Sequence, residues 1–218
     1  MTWIAPDVAP PEFEPVGDER PLLEAGLAWR RGELLRKCEG LTGDQLAQRS
    51  VPPSNLSLLG LVRHMAKVER GWFRGFIGGE NLEPMYDPAL GPDADFEDLD
   101  PARAQADYER LVEECRLAEG ALATVSFDDV LTTDGGQMSV RAVVTHMVSE
   151  YAQHIGHADL LRECIDGRTD RSALDDAPCG LPPTDADCRG QDVNLRPLGR
   201  APTRSAKSLR ARPAWVDP

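Results

Sequence analysis

Four stretches of helical length, each with its own start or stop signal, constrain this chain more than any other feature. Asp18 stands where it can cap the first, Pro21 falls near its opening turn, and Leu22, Leu23, Leu27, Leu34, Leu35 and Cys38 recur at helical spacing to about Glu39. Ser57 can cap the second, which is expected to run to about Ile77 before Gly78 and Gly79 stop it. Asp100 followed by Pro101 opens the third, which Tyr108, Leu111, Cys115, Leu122 and Val125 continue. Ser139 caps the fourth, and Gly167 follows Asp166 where a left-handed terminating residue is expected. With no convincing strand alternation, the way to bury four amphipathic faces together is an all-α four-helix bundle.

The remaining segments are connections and ends. Residues 80 to 99 are long for a helix-helix link and contain Pro84, Pro88 and Pro92, so they are expected to cross the end of the bundle or rim a pocket. Residues 126 to 138, with Val130, Leu131, Thr132 and Thr133 before a glycine pair, are expected to hold a short extended piece that falls short of a sheet. Pro6, Pro10, Pro11 and Pro15 mark residues 1 to 17 as an extended lead-in that lies over the surface and adds nothing to the core. Residues 168 to 218 lack helical periodicity and turn basic after Leu195, which reads as a disordered tail of solvated charge. The domain proper is therefore expected over residues 18 to 167.

Charge and cysteine content narrow the functions available. A formal net charge of −13 disfavours nucleic acid and anionic membrane as partners, leaving small molecules or proteins. The amino terminus lacks a basic stretch followed by an apolar run, and no apolar stretch approaches the roughly 20 residues of a membrane span, so a cytoplasmic location is expected. Five cysteines without a Cys-x-x-Cys pair argue for reduced thiols rather than a disulfide framework or a cysteine-rich zinc module. Cys38, Cys115 and Cys164 read as core fillers, and Gly78-Gly79 and Gly135-Gly136 as turns rather than phosphate loops.

All four histidines fall in two of the helical segments. His146, Glu150, His154 and His157 span only about an 80° arc of the fourth helix. Val143, Leu161 and Cys164 share that sector, so the polar cluster is expected on the buried face. His64 lies beside Leu61, Met65 and Val68 on the apolar side of the second helix, with Arg63, Lys67, Arg70 and Arg74 expected on its wet side. Taken alone, His64 reads as a hydrogen-bonded core histidine, and a single His or Glu of the fourth helix as a surface residue. Together they present a conflict, because a carboxylate and imidazoles buried without partners cost several kcal/mol, whereas a divalent cation would neutralise the one and use the lone pairs of the others. Glu150 and His154, one turn apart, can chelate one ion, and His64 from another helix completes a two-histidine, one-carboxylate set with open positions. His146 and His157 are the fallback ligands, and His157 is the better candidate to orient a ligand or line the pocket.

The run from Leu58 to Phe73 and the run from His146 to Gly167 resemble the DinB/YfiT-like superfamily, over residues 18 to 167. The resemblance implies a four-helix bundle holding a divalent metal through one histidine of the second helix and two ligands four residues apart on the fourth. His64 and His154 match that pattern, and Glu150 stands where many members have a further histidine. The glutamate is similar to that of the mycothiol-dependent maleylpyruvate isomerase, a related family. Zinc is the first choice of metal, and the mixed nitrogen and oxygen set also suits nickel, iron or manganese. The resemblance further implies a thiol transferase, with mycothiol as a possible co-substrate and a homodimer as a possible assembly. A metal-dependent hydrolase and a non-catalytic metal-binding bundle are the alternatives that the residues leave open.

Overall fold

A computed structural model describes residues 2–9, 16–133 and 136–169. Four long helices carry the architecture: α1 (Glu19–Arg36), α3 (Leu58–Glu69), α5 (Ala104–Leu122) and α6 (Val140–Asp166). The short helices α2 (Gly43–Leu46) and α4 (Ala94–Glu97) sit in the connections, and strands β1 (Val130–Thr133) and β2 (Gly136–Ser139) precede α6. In the bundle α1 packs most extensively on α6, and α3 on α5. The shared core includes Leu27 and Leu34 of α1, Leu61 and Met65 of α3, Leu111 of α5, and Met147 and Tyr151 of α6.

The helix boundaries follow local chemistry. Ser57 accepts from the Gly60 amide, Asp100 from Ala102 and Ser139 from Ala142, each satisfying an otherwise orphaned amide of a first turn. Gly167 ends α6 with φ of 77°, a left-handed conformation that favours glycine. Asp18 occupies the cap position of α1 but its side chain makes no capping bond. The second helix does reach Ile77, yet Arg70–Ile77 is wound as a π-helix and closes with the Gly78 amide on the Phe73 carbonyl at 2.8 Å. Gly71 and Gly75 lie within that stretch, where the lack of a side chain eases departure from α geometry.

Two expectations are corrected. Residues 130–133 and 136–139 do form a sheet, two antiparallel strands that pair Val130 with Ser139 and Leu131 with Met138. The lead-in does contribute to the core: Ala5 is buried, its amide donates to the Leu41 carbonyl at 2.9 Å, and its carbonyl accepts from Gly40 at 3.0 Å. Strand-like pairing with the turn after α1 draws Ala5 inward, an interaction that proline content alone does not reveal. The disordered tail expected over residues 168 to 218 lies outside the described residues, Arg168 and Thr169 excepted.

Buried polar groups set the register of the helices. Glu69 of α3 receives two bonds from the Arg31 guanidinium of α1, at 2.8 and 2.7 Å, and one from the Tyr151 hydroxyl of α6 at 2.8 Å. The Cys115 sulfur of α5 lies 3.7 Å from the same hydroxyl. Burial holds the Tyr151 phenol well above its ordinary pKa, so it remains a donor. At the end of α1, Arg162 of α6 donates to the Lys37 and Glu39 carbonyls at 2.9 and 2.8 Å, satisfying acceptors that the helix leaves unpaired.

Candidate metal centre

The Tyr151–Glu69 bond fixes more than stability, because Tyr151 follows Glu150 in sequence and Glu69 lies little more than one turn beyond His64. It sets α3 against α6 so that Trp72 meets His146 while His64 meets His154, an antiparallel pairing. The His154 Nε2 atom then lies 3.4 Å from Glu150 Oε1, and His64 Nε2 lies 3.8 Å from the same oxygen. One donor atom from each of the three residues falls within 4.8 Å of the others. Two ligand atoms bound tetrahedrally at about 2.0–2.1 Å from one ion stand roughly 3.3 Å apart, so the cluster needs only small side-chain movements to share a cation.

The electrostatics favour the same reading. The imidazoles of His154 and then His64 hold the Glu150 carboxyl far below the usual carboxylate range, so it is ionised at neutral pH. His64 Nε2 is buried and has no hydrogen-bond partner among the described residues, an orphaned lone pair or N–H that would ordinarily cost about 1–3 kcal/mol. A divalent ion accepts that lone pair and balances the carboxylate at once, so the residues present fit the group that the donor set implies. Side-chain exposure rises from 8% at His64 to 13% at His154 and 21% at Glu150, which leaves the α6 side of the cluster open to a ligand.

That exposure refines the expected placement of the polar cluster. The buried face of α6 is centred on Met147, Tyr151 and Ala158, and the line through Glu150 and His154 lies roughly 60° around the helix, in the sector of the buried Val143 and Leu161 but towards its open edge. Cys164, in the same angular sector, is exposed. The outer members behave differently from one another. His157 is exposed, with Nδ1 3.4 Å from His154 Nδ1, while the half-buried His146 ring packs on Trp72 with centroids 4.9 Å apart. Burial and the neighbouring His154 push His157 below its ordinary pKa, favouring the neutral ring.

Sequence reasoning missed the partner of His64. Asp95 of α4 is buried, and its Oδ2 lies 2.8 Å from His64 Nδ1 while its Oδ1 accepts from Lys67 at 3.1 Å. Burial works against its charge, but His64 and Lys67 hold its carboxyl below the usual range. Phe96 stacks on the His64 ring at 4.8 Å. The long connection after the second helix thus covers the cluster, and Arg63 anchors it there. Expected on the wet side, Arg63 is buried: it donates to the Ala94 and Asp95 carbonyls at 3.0 Å each and to Asp107 at 3.2 Å, with its guanidinium 4.2 Å from the Tyr86 ring centroid. Helical periodicity describes one helix, and the loop that buries Arg63 is not part of that helix. Asp95 also carries no local mark, since Asp93, Glu97, Asp98 and Asp100 surround it.

Among the described residues, Cys38, Cys115 and Cys164 are not part of this cluster. Cys38 and Cys115 are buried, and burial pushes the Cys38 thiol up to about 12, leaving almost no thiolate at neutral pH. A thiol reagent added to the native protein is therefore expected to modify Cys164 and spare Cys38 and Cys115, with unfolding exposing all three; peptide mapping by mass spectrometry reads the outcome, and rapid native labelling of Cys38 would contradict the burial.

A family model described as MST, mycothiol-S-transferase, matches residues 22–167, which include the second and fourth helices and all three clustered side chains. Comparison with curated proteins and with solved structures gave no match.

Proposed function

The chain belongs to the mycothiol-S-transferase family, a DinB/YfiT-like family, and from that premise we propose a divalent-metal-dependent transferase that joins a mycothiol-like thiol to a small electrophile. The observation that carries this reading is the one-sided cluster of His64, Glu150 and His154, closed by protein behind His64 and accessible in front of α6. These three side chains would hold the ion, with zinc first among the candidates and nickel, iron or manganese also compatible. Once bound, the ion would act as a Lewis acid that lowers the pKa of a thiol presented to the open side, making thiolate available near neutral pH.

The residues of the chain account for the remaining requirements. Glu150 is the one carboxylate among the three clustered side chains and offsets only part of a dication's charge, while Lys67 balances Asp95 behind His64, so the site retains a net attraction for an incoming thiolate. Phe96 covers the back of His64 and excludes water from that side. The thiol proton leaves to solvent, the sulfur lone pair forms the new carbon–sulfur bond, and the leaving group departs with its bonding pair. Among the described residues no helix is long and apolar enough to cross a membrane.

The test is conjugation of a generic electrophile by the full chain, with mycothiol compared against cysteine, glutathione and water. Thiol consumption that is fastest with mycothiol, lost on chelation and restored by zinc, is the expected result. Electrophile hydrolysis without thiol consumption would replace the proposal with a metal-dependent hydrolase, and zinc binding without turnover would replace it with a binding protein.

A further inference from the structure

We propose that Asp95 is the positioning residue of this centre: by accepting a hydrogen bond from His64 Nδ1–H it fixes the imidazole tautomer whose Nε2 lone pair faces Glu150 and His154. The inference rests on the metal reading of that cluster and deepens it, because it assigns the long connection between the second and third bundle helices a direct part in building the site.

Three observations converge on Asp95. First, the bond is short at 2.8 Å and both partners are buried, so no water competes for Nδ1. A carboxylate can only accept, which obliges Nδ1 to carry the proton; a neutral imidazole then has its lone pair on Nε2, the atom left without a hydrogen-bond partner among the described residues. Second, the carboxylate is itself held. Lys67 donates to its other oxygen at 3.1 Å, and Arg63 donates to the Asp95 backbone carbonyl at 3.0 Å. Third, the ring plane is fixed independently of the hydrogen bond, since Phe96 stacks on it at an interplanar angle of 28°. The two histidines of the cluster are thereby unequal: His64 has an ionised and immobilised partner, whereas the Nδ1 of His154 faces only the exposed His157 at 3.4 Å. Outer-sphere carboxylates of this kind raise the basicity of a histidine ligand, and their loss typically weakens metal binding about 10–100-fold.

Asp95 also lies in a segment that does more than orient a ring, so the test must separate positioning from support of the loop. In the metal-free full chain, at a pH where His64 is neutral, nitrogen NMR of the ring is expected to show the proton on Nδ1 in the wild type and a mixture of tautomers in Asp95→Ala. A wild-type ring protonated on Nε2 would overturn the proposal, whatever the variants do. Zinc titrated against a chromophoric chelator is expected to bind Asp95→Ala at least tenfold more weakly than wild type, with Asp95→Asn between them because its amide oxygen still accepts from Nδ1–H. Tyr86→Phe loosens another anchor of the same connection, the Tyr86 hydroxyl on the Arg63 carbonyl at 2.9 Å, without touching Asp95, and is expected to bind zinc as the wild type does. Equal losses in Asp95→Ala and Tyr86→Phe would show a support role only and reject the proposal. A wild-type chain that binds no zinc would instead reject the metal reading on which the proposal rests, and the NMR result distinguishes the two failures.

Discussion

Replacing Glu150 and His154 together by alanine is expected to remove the metal while leaving the bundle folded. Both side chains lie on the margin of α6 with 21% and 13% of their surface exposed, so truncation opens no cavity among the helices. What remains is His64 alone, and one neutral imidazole cannot retain a divalent ion against water and buffer. Elemental analysis of purified protein is expected to fall from about one ion per chain to none, with the thermal transition of the metal-free protein nearly unchanged. Glu150→His supplies a third nitrogen from the same position and is expected to keep the metal, separating loss of a ligand from general disturbance of α6. Acid should act in the same direction as the mutation. Burial opposes protonation of His64, but Asp95 and Glu150 together raise its pKa above the ordinary 6.5, so below that raised pKa protons compete with the metal for the imidazole and affinity weakens progressively as the pH falls. Glu150, held far below the ordinary carboxylate range, remains charged throughout and contributes nothing to that release. Undiminished metal content in the double variant would show that the ion binds elsewhere.

The second large effect concerns stability. Glu69→Ala is expected to destabilise the protein by about 3–5 kcal/mol, because it leaves the buried Arg31 guanidinium with only the exposed Glu119 carboxylate, at 3.3 Å, and the Tyr151 hydroxyl without its acceptor. Marginal stabilities of about 5–15 kcal/mol make that a substantial share of the total, and a fall in melting temperature on the order of 10 °C should accompany it. Glu69→Gln tests the origin of the effect. The amide still accepts from Tyr151 but cannot balance Arg31, so most of the loss should persist if the uncompensated charge dominates. The apolar pair Arg31→Met with Glu69→Leu is expected to lose less than Glu69→Ala, since it removes both charges. Denaturant midpoints measured on metal-free protein would read all three, and a Glu69→Ala midpoint equal to wild type would refute the network's structural role. Because the same residues set α3 against α6, Glu69→Ala should also weaken zinc binding although Glu69 touches none of the three clustered side chains.

Local signals and long-range pairing divided the problem unevenly. The capping residues Ser57, Asp100 and Ser139 and the terminating Gly167 were legible because a cap is satisfied within three residues, so the amide it serves is already written beside it. Glu150 and His154 were legible as a pair for the same reason: a helical turn brings them together wherever the helix is placed. The pairing of 130–133 with 136–139 was underestimated, since two four-residue strands give too little alternation to distinguish them from a loop. Arg63 was misplaced because a basic side chain on a helix reads as solvent-facing until the Ala94 and Asp95 carbonyls of the long connection and Asp107 close over it.

By itself, then, the sequence determined four helices, their ends, and a carboxylate and imidazole aligned along one of them, all consequences of backbone geometry acting over a few residues. Tertiary structure alone decided which partners those groups meet. Asp95 reaches His64 across 31 residues and Tyr151 reaches Glu69 across 82, and nothing in either local pattern distinguishes these side chains from the acidic and aromatic residues around them. The physical reason is that periodicity specifies the direction a side chain leaves its own helix, whereas a hydrogen bond between buried groups depends on the relative placement of two elements, which only the packed core of the whole bundle sets.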